Sequence, residues 1–126
     1  MKKILSSIAV VALFQTTVAF AAGDPFIQSK FDALENSGKP IVVHIHADWC
    51  STCKAQDAVL NRLIKLPDFK NVSFLQVDFD NQKTVVRSFK ANMQSTIIVF
   101  KGKKELDRGV GETNTSKIEA LVKKAI

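Results

Sequence analysis

The run Ile41-Val42-Val43-His44-Ile45-His46-Ala47 limits the fold more than any other part of the chain. Its β-branched residues favour an extended backbone. A run this apolar reads as a strand covered on both faces, as in an α/β sheet. The chain then passes into a helical pattern from Ser51 to Lys65, marked by Ala55, Val59, Leu60, Leu63 and Ile64. A buried strand feeding a helix is therefore the frame on which the rest must be hung.

The remaining segments alternate in the same way. Asp24-Pro25 reads as the opening of a first helix, with an N-cap acceptor followed by proline. Phe26, Ile27, Phe31 and Leu34 give that helix an apolar stripe, and Ser37-Gly38-Lys39-Pro40 stops it. Strands follow at Val72–Phe79, Ser95–Lys101 and Glu105–Val110, with helices near Thr84–Lys90 and Thr115–Ile126. The expected order is α-β-α-β-α-β-β-α: an α/β domain with a central mixed sheet flanked by helices. Strands separated by helices are expected to pair in parallel, and the short Gly102 turn to make the last pair antiparallel. A chain of 126 residues allows one domain. At 46% hydrophobic it can bury enough surface to fold.

Met1 to Ala22 stands apart. Lys2 and Lys3 precede an apolar stretch from Ile8 to Phe14, and Ala19-Phe20-Ala21 matches a small-residue cleavage pattern. This reads as a secretory signal over 1–22, cut after Ala21 or Ala22, leaving 23–126 as the folded domain. Ser6, Ser7, Gln15, Thr16 and Thr17 leave too short an apolar run for a permanent span of ~20 residues. Losing Lys2 and Lys3 takes the net charge from +6 to +4. The densest cations, Lys101, Lys103 and Lys104, sit at a turn without interleaved aromatics. That argues against a nucleic-acid partner.

The chemistry lies in Trp49-Cys50-Ser51-Thr52-Cys53-Lys54, where the buried strand meets the helix. Cys50 falls at the helix start, where free N–H groups and the dipole stabilise a thiolate. Cys53 lies three residues on, on the same face. The pair is suited to reversible disulfide exchange. A purely structural bridge closing so small a loop would add little stability. These are the only two cysteines, so a disulfide framework and a four-cysteine zinc site are excluded.

The string Ala47-Asp48-Trp49-Cys50-Ser51-Thr52-Cys53-Lys54, the strand Thr96–Lys101 with its Gly102 turn, and Val110-Gly111 before the last helix resemble the thioredoxin family. The string looks most like exported thioredoxin-like reductases such as the C-terminal domain of DsbD. The resemblance implies the thioredoxin fold and dithiol–disulfide exchange without a cofactor. It implies Cys50 as exposed nucleophile, Cys53 as buried resolver and Trp49 as their packing neighbour. The chain departs from the family pattern in three places. Ser95 stands where the family usually has a cis-proline that helps hold extended substrates. His44 stands at the place of a buried acidic proton acceptor, and Ala58 at the place of a helix-kinking proline.

His44 therefore has two readings, a neutral proton acceptor or a core histidine satisfied by a hydrogen bond. His46 shares its strand face. With Cys50 and Cys53 it raises an alternative to the enzyme, a metal-handling (copper or zinc) or non-catalytic binding module. Lys54 is expected to point to solvent. The leading expectation is an exported, monomeric thiol–disulfide oxidoreductase of the periplasm or exterior. It would reduce protein disulfides and draw electrons from a membrane-side donor.

Overall fold

A computed structural model describes residues 22–126. The secretory-signal reading falls on residues outside that range, except for Ala22. The sheet has five strands in the order β1-β3-β2-β4-β5. These are β1 (Asp24–Pro25), β2 (Pro40–His46), β3 (Ser73–Asp78), β4 (Thr96–Lys101) and β5 (Lys104–Val110). The helices are α1 (Gln28–Asn36), α2 (Ser51–Ile64), α3 (Lys83–Ser88) and α4 (Thr115–Lys123). This is the thioredoxin-like α/β architecture expected from the sequence, with one short strand added at its start.

Two expectations need correction. Asp24-Pro25 does not open a helix. It pairs in parallel with Leu75 and Gln76 at the sheet edge, a place where proline's missing N–H is tolerated. Helix α1 begins only at Gln28, after an extended Ile27 that offers no side-chain cap. Second, β4 runs antiparallel to β2, although a helix separates it from β3. The six residues of α3 rise about 9 Å at 1.5 Å per residue. A six-residue strand spans about 20 Å. The helix covers less than half that length, and the connection from 79 to 95 stays at the end of the sheet where β3 finishes. Strand β4 therefore starts beside the end of β2, with Thr96 opposite Ile45.

Strand β2 is the hub. It pairs in parallel with β3 and antiparallel with β4, and six of its seven residues are buried. Its alternation divides two cores. Val42 packs with Phe74, Ile97 and Val99 under α2 and α4. Ile41, Val43 and Ile45 pack with Leu75, Ile98 and the α1 side, where Phe26, Phe31, Phe89 and Phe100 stack edge to face or tilted. His44 and His46 fall on the α2 face, as the strand period requires. Helix α2 runs unbroken through Ala58, which is exposed. Ala55 also faces solvent, and the inward position beside it belongs to Gln56. Among the described residues no helix is long and apolar enough to cross a membrane.

The β4–β5 turn is closed by Gly102, whose φ is +56°. A Cβ there would stand 3.1 Å from Gly38 Cα. Gly102→Ala is expected to lower stability by about 1–2 kcal/mol, from left-handed strain alone. Urea denaturation of the two proteins checks this; equal midpoints would contradict it.

Candidate active site

Three chain segments meet at one end of the sheet: the exit of β2, the first turn of α2 and the entry to β4. Cys50 is the N-cap of α2, with extended backbone, and its Sγ accepts the Cys53 amide at 3.0 Å. Cys50 and Cys53 are joined as a disulfide with their Cα atoms 5.2 Å apart. Both are buried and pack with Ala47 and Phe79. The resemblance implied an exposed Cys50; in this oxidised state it is 4% exposed. Lys54 points outward, as expected.

Trp49 is 62% exposed. Its indole Nε1–H donates to Asp80 Oδ2 at 2.8 Å, so the ring is pinned at the surface instead of packed within the core. Asp80 lies in the turn after β3, where Asp78 accepts the amides of Asp80 and Asn81. Nothing local in the sequence links Asp80 to Trp49, because the contact spans 31 residues.

Ser95 is buried at the corner before β4. Its peptide bond is trans and its φ is +58°. The Ser95 N–H donates to Ile45 O at 2.8 Å, and Ser95 O accepts the Gly111 amide at 2.9 Å. The position expected to hold a proline is thus built on a backbone conformation and a donor that proline lacks.

Beneath α2 lies a polar network. Gln56 Nε2 donates to Ser95 O and to Glu112 O, each at 3.0 Å. Both amide protons are then committed, so Gln56 Oε1 must accept. Its partner is His44 Nε2 at 2.9 Å, which therefore carries a proton. His44 Nδ1 lies 3.3 Å from Asp57 Oδ1. That approach is off the line of a good hydrogen bond, and Nδ1 has no well-formed partner. His46 Nε2 lies 3.0 Å from Asp57 Oδ2. The two histidines thus converge on one carboxylate and not on the cysteines. Among the described residues, no group of three or more His, Cys, Asp or Glu is arranged to hold a metal ion.

Gln56 and Asp57 escaped the sequence analysis. Their signal was spacing: they follow Cys53 by three and four residues, which puts them on its face of α2. Burial raises the Asp57 carboxyl. The contact and charge of His44, the charge of His46 and the Ala22 amide together outweigh burial and hold it below the ordinary carboxylate range.

The thioredoxin family profile matches residues 25–124. The chain belongs to the thioredoxin family. A thioredoxin of Coprinus comatus is 29% identical over 97 residues, covering 77% of this chain and 91% of the relative. Thioredoxin Asp f 28 of Aspergillus fumigatus is 30% identical over 103 residues, covering 82% and 90%. Among solved structures, Trxlp of Edwardsiella tarda superposes with a TM-score of 0.75 at 33% identity, covering 78% of this chain and 96% of that one. With its Cys50–Cys53 pair, this member of the thioredoxin family is a thiol–disulfide oxidoreductase.

Two predictions follow from the site. Asp57→Asn leaves His44 and His46 facing a neutral amide and should lower stability by about 1–3 kcal/mol at pH 7. A carboxyl depressed on folding stabilises fully above its unfolded value of about 3.9, and that contribution is lost as pH falls through the folded value. The gap between native and variant should therefore narrow below about pH 4; a gap independent of pH would refute the assignment. Ser95→Pro should cost at least about 2 kcal/mol through the lost donor and the inaccessible φ. Ser95→Gly should stay within about 1 kcal/mol of native. Thermal denaturation of both variants decides; a stable Ser95→Pro would contradict the geometry.

Proposed function

We propose that this member of the thioredoxin family acts outside the cytoplasm, in a periplasm or secreted, as a reductase of protein disulfides. The observation that carries the chemistry is Cys50 at the N-cap of α2, its sulfur accepting the Cys53 amide. In the reduced protein, the Cys50 thiolate attacks a substrate disulfide and forms a mixed disulfide. One substrate sulfur leaves as a thiolate. Cys53 then attacks Cys50, forming the Cys50–Cys53 disulfide and releasing the second substrate thiolate. Two electrons pass to the substrate, and the structure corresponds to the oxidised protein left behind. A dithiol donor on the membrane side would return those electrons.

The reductive direction rests on the surroundings of Cys50. Ser51 and Thr52 bring no cation between the cysteines, Lys54 points to solvent, and His44 bonds Gln56 through Nε2 and turns Nδ1 toward Asp57. The helix terminus alone favours the thiolate only moderately. The exported setting rests on the residue pattern of Met1 to Ala22. Equilibration with dithiothreitol should give a potential nearer thioredoxin (about −270 mV) than DsbA (about −120 mV). A value above about −180 mV would overturn the reductive direction. Cys53→Ser should trap disulfide-bearing proteins on Cys50 in the exported fraction. Trapping only inside the cell would overturn the location.

A further inference from the structure

The backbone nitrogen of Ala22 lies 3.4 Å from Asp57 Oδ1. Ala22 is buried and packs in the core with Val42, Leu60 and Phe74. Its placement is imposed from the other side. Gly23 has a φ of +91°, and a Cβ there would come within 2.5 Å of Phe74 O. The next two residues, Asp24 and Pro25, are zipped onto Leu75 and Gln76. The chain from Ala22 to Pro25 is thus fixed against β3, with the Ala22 nitrogen aimed at the carboxylate that also receives His44 and His46.

We propose that the Ala21–Ala22 peptide bond is the processing site of this chain, and that the α-ammonium freed at Ala22 forms an ion pair with Asp57. The proposal rests on the exported reading above. The residue pattern allowed a cut after Ala21 or after Ala22; the structure favours the first. A cut after Ala22 would remove a buried core residue and take a donor away from Asp57. In the hydrolysis, carried out by a signal peptidase, water adds across the amide bond. Ala21 leaves as a carboxylate, and the Ala22 nitrogen gains protons to become an ammonium.

The chemistry of the contact improves on cleavage. A peptide N–H offers one donor in a fixed plane, and here it reaches only a long contact. An ammonium offers three donors and a full charge, and such bonds to carboxylates close to about 2.7–2.9 Å. The carboxylate then faces a cation that does not depend on either histidine. Two further carboxylates lie on the other side of His46: Asp48, 3.8 Å from His46 Nδ1, and Asp78, which lies within the field of His46. The strand neighbours of His44, Gln76 and Ile97, are neutral. A cleft of about 330 Å³, with His46, Asp48 and Asp78 in its wall, opens the far side of this network to solvent. The amine therefore competes with two imidazoles for one carboxylate, and processing ties the N-terminus to the ground beneath the active-site helix.

The test uses the full chain, expressed in a bacterial host that exports it. Intact mass should show a mature protein beginning at Ala22. Competitive acetylation of its α-amine with acetic anhydride, across pH 6 to 10 in the folded protein and in urea, then reads the contact. In the folded protein the midpoint should lie above the ordinary 7.7–8.0, with labelling at pH 8 at least about tenfold slower than in urea. Burial alone would move the midpoint down, so an upward shift is diagnostic of the pair. Asp57→Asn should return most of the lost reactivity; if that variant does not fold, the midpoint of the native protein decides alone. A mature protein beginning at Gly23 or elsewhere, or a midpoint at or below the ordinary range, would overturn the proposal and leave export standing. A chain recovered uncut would overturn export and the proposal together.

Discussion

Everything at the redox end of this molecule depends on β2 being buried on both faces and running almost directly into α2. Hydrogen bonding to β3 on one side and β4 on the other fixes its register over nearly its whole length. Burial removes any freedom to slip, because a one-residue shift would exchange the two histidines for isoleucine and valine on the α2 face. The first turn of α2 is thereby held at the end of the sheet, and Cys50 occupies the position where amides lack partners. The placement of the sulfur is a consequence of strand packing.

The same packing leaves polar groups under α2 that must be satisfied, since an unpaired buried group costs about 1–3 kcal/mol. Gln56 meets most of this demand. One side chain joins the histidine on β2, the Ser95 carbonyl before β4 and the Glu112 carbonyl before α4. The corner at Ser95 is therefore held by its own amide, by Gly111 and by Gln56. A chain lacking proline at this corner still has a firmly positioned loop beside its cysteines, in a left-handed conformation stabilised by surrounding bonds. Asp57, one residue along, faces what Gln56 does not reach: the Nδ1 side of His44, the His46 ring and the nitrogen of Ala22.

Much of this was legible in the residues. The β-branched run, the abrupt change to helical spacing and the cysteines at that junction specify a buried strand, a helix and a redox pair without ambiguity of period. The shared face of His44 and His46 follows from alternation alone. The edge strand did not show, because Asp-Pro is as good a start for a helix as it is a place on a sheet edge. The direction of β4 was hidden for a different reason: it depends on the end of the sheet at which the connection from β3 delivers the chain, and no local pattern of residues encodes that. The Gln56–Asp57 pair was hidden because polar residues in a helix ordinarily face water. Only the position of β2 beneath them turns these two inward.

The central claim is that the N-cap geometry of α2 activates Cys50. The direct measurement is the rate of alkylation of Cys50 in the reduced protein as a function of pH, with Cys53→Ser to isolate one thiol. The account predicts a midpoint clearly below that of a free thiol, about 8.5. A midpoint at or above 8.5 would show that burial outweighs the helix terminus, and would contradict the account.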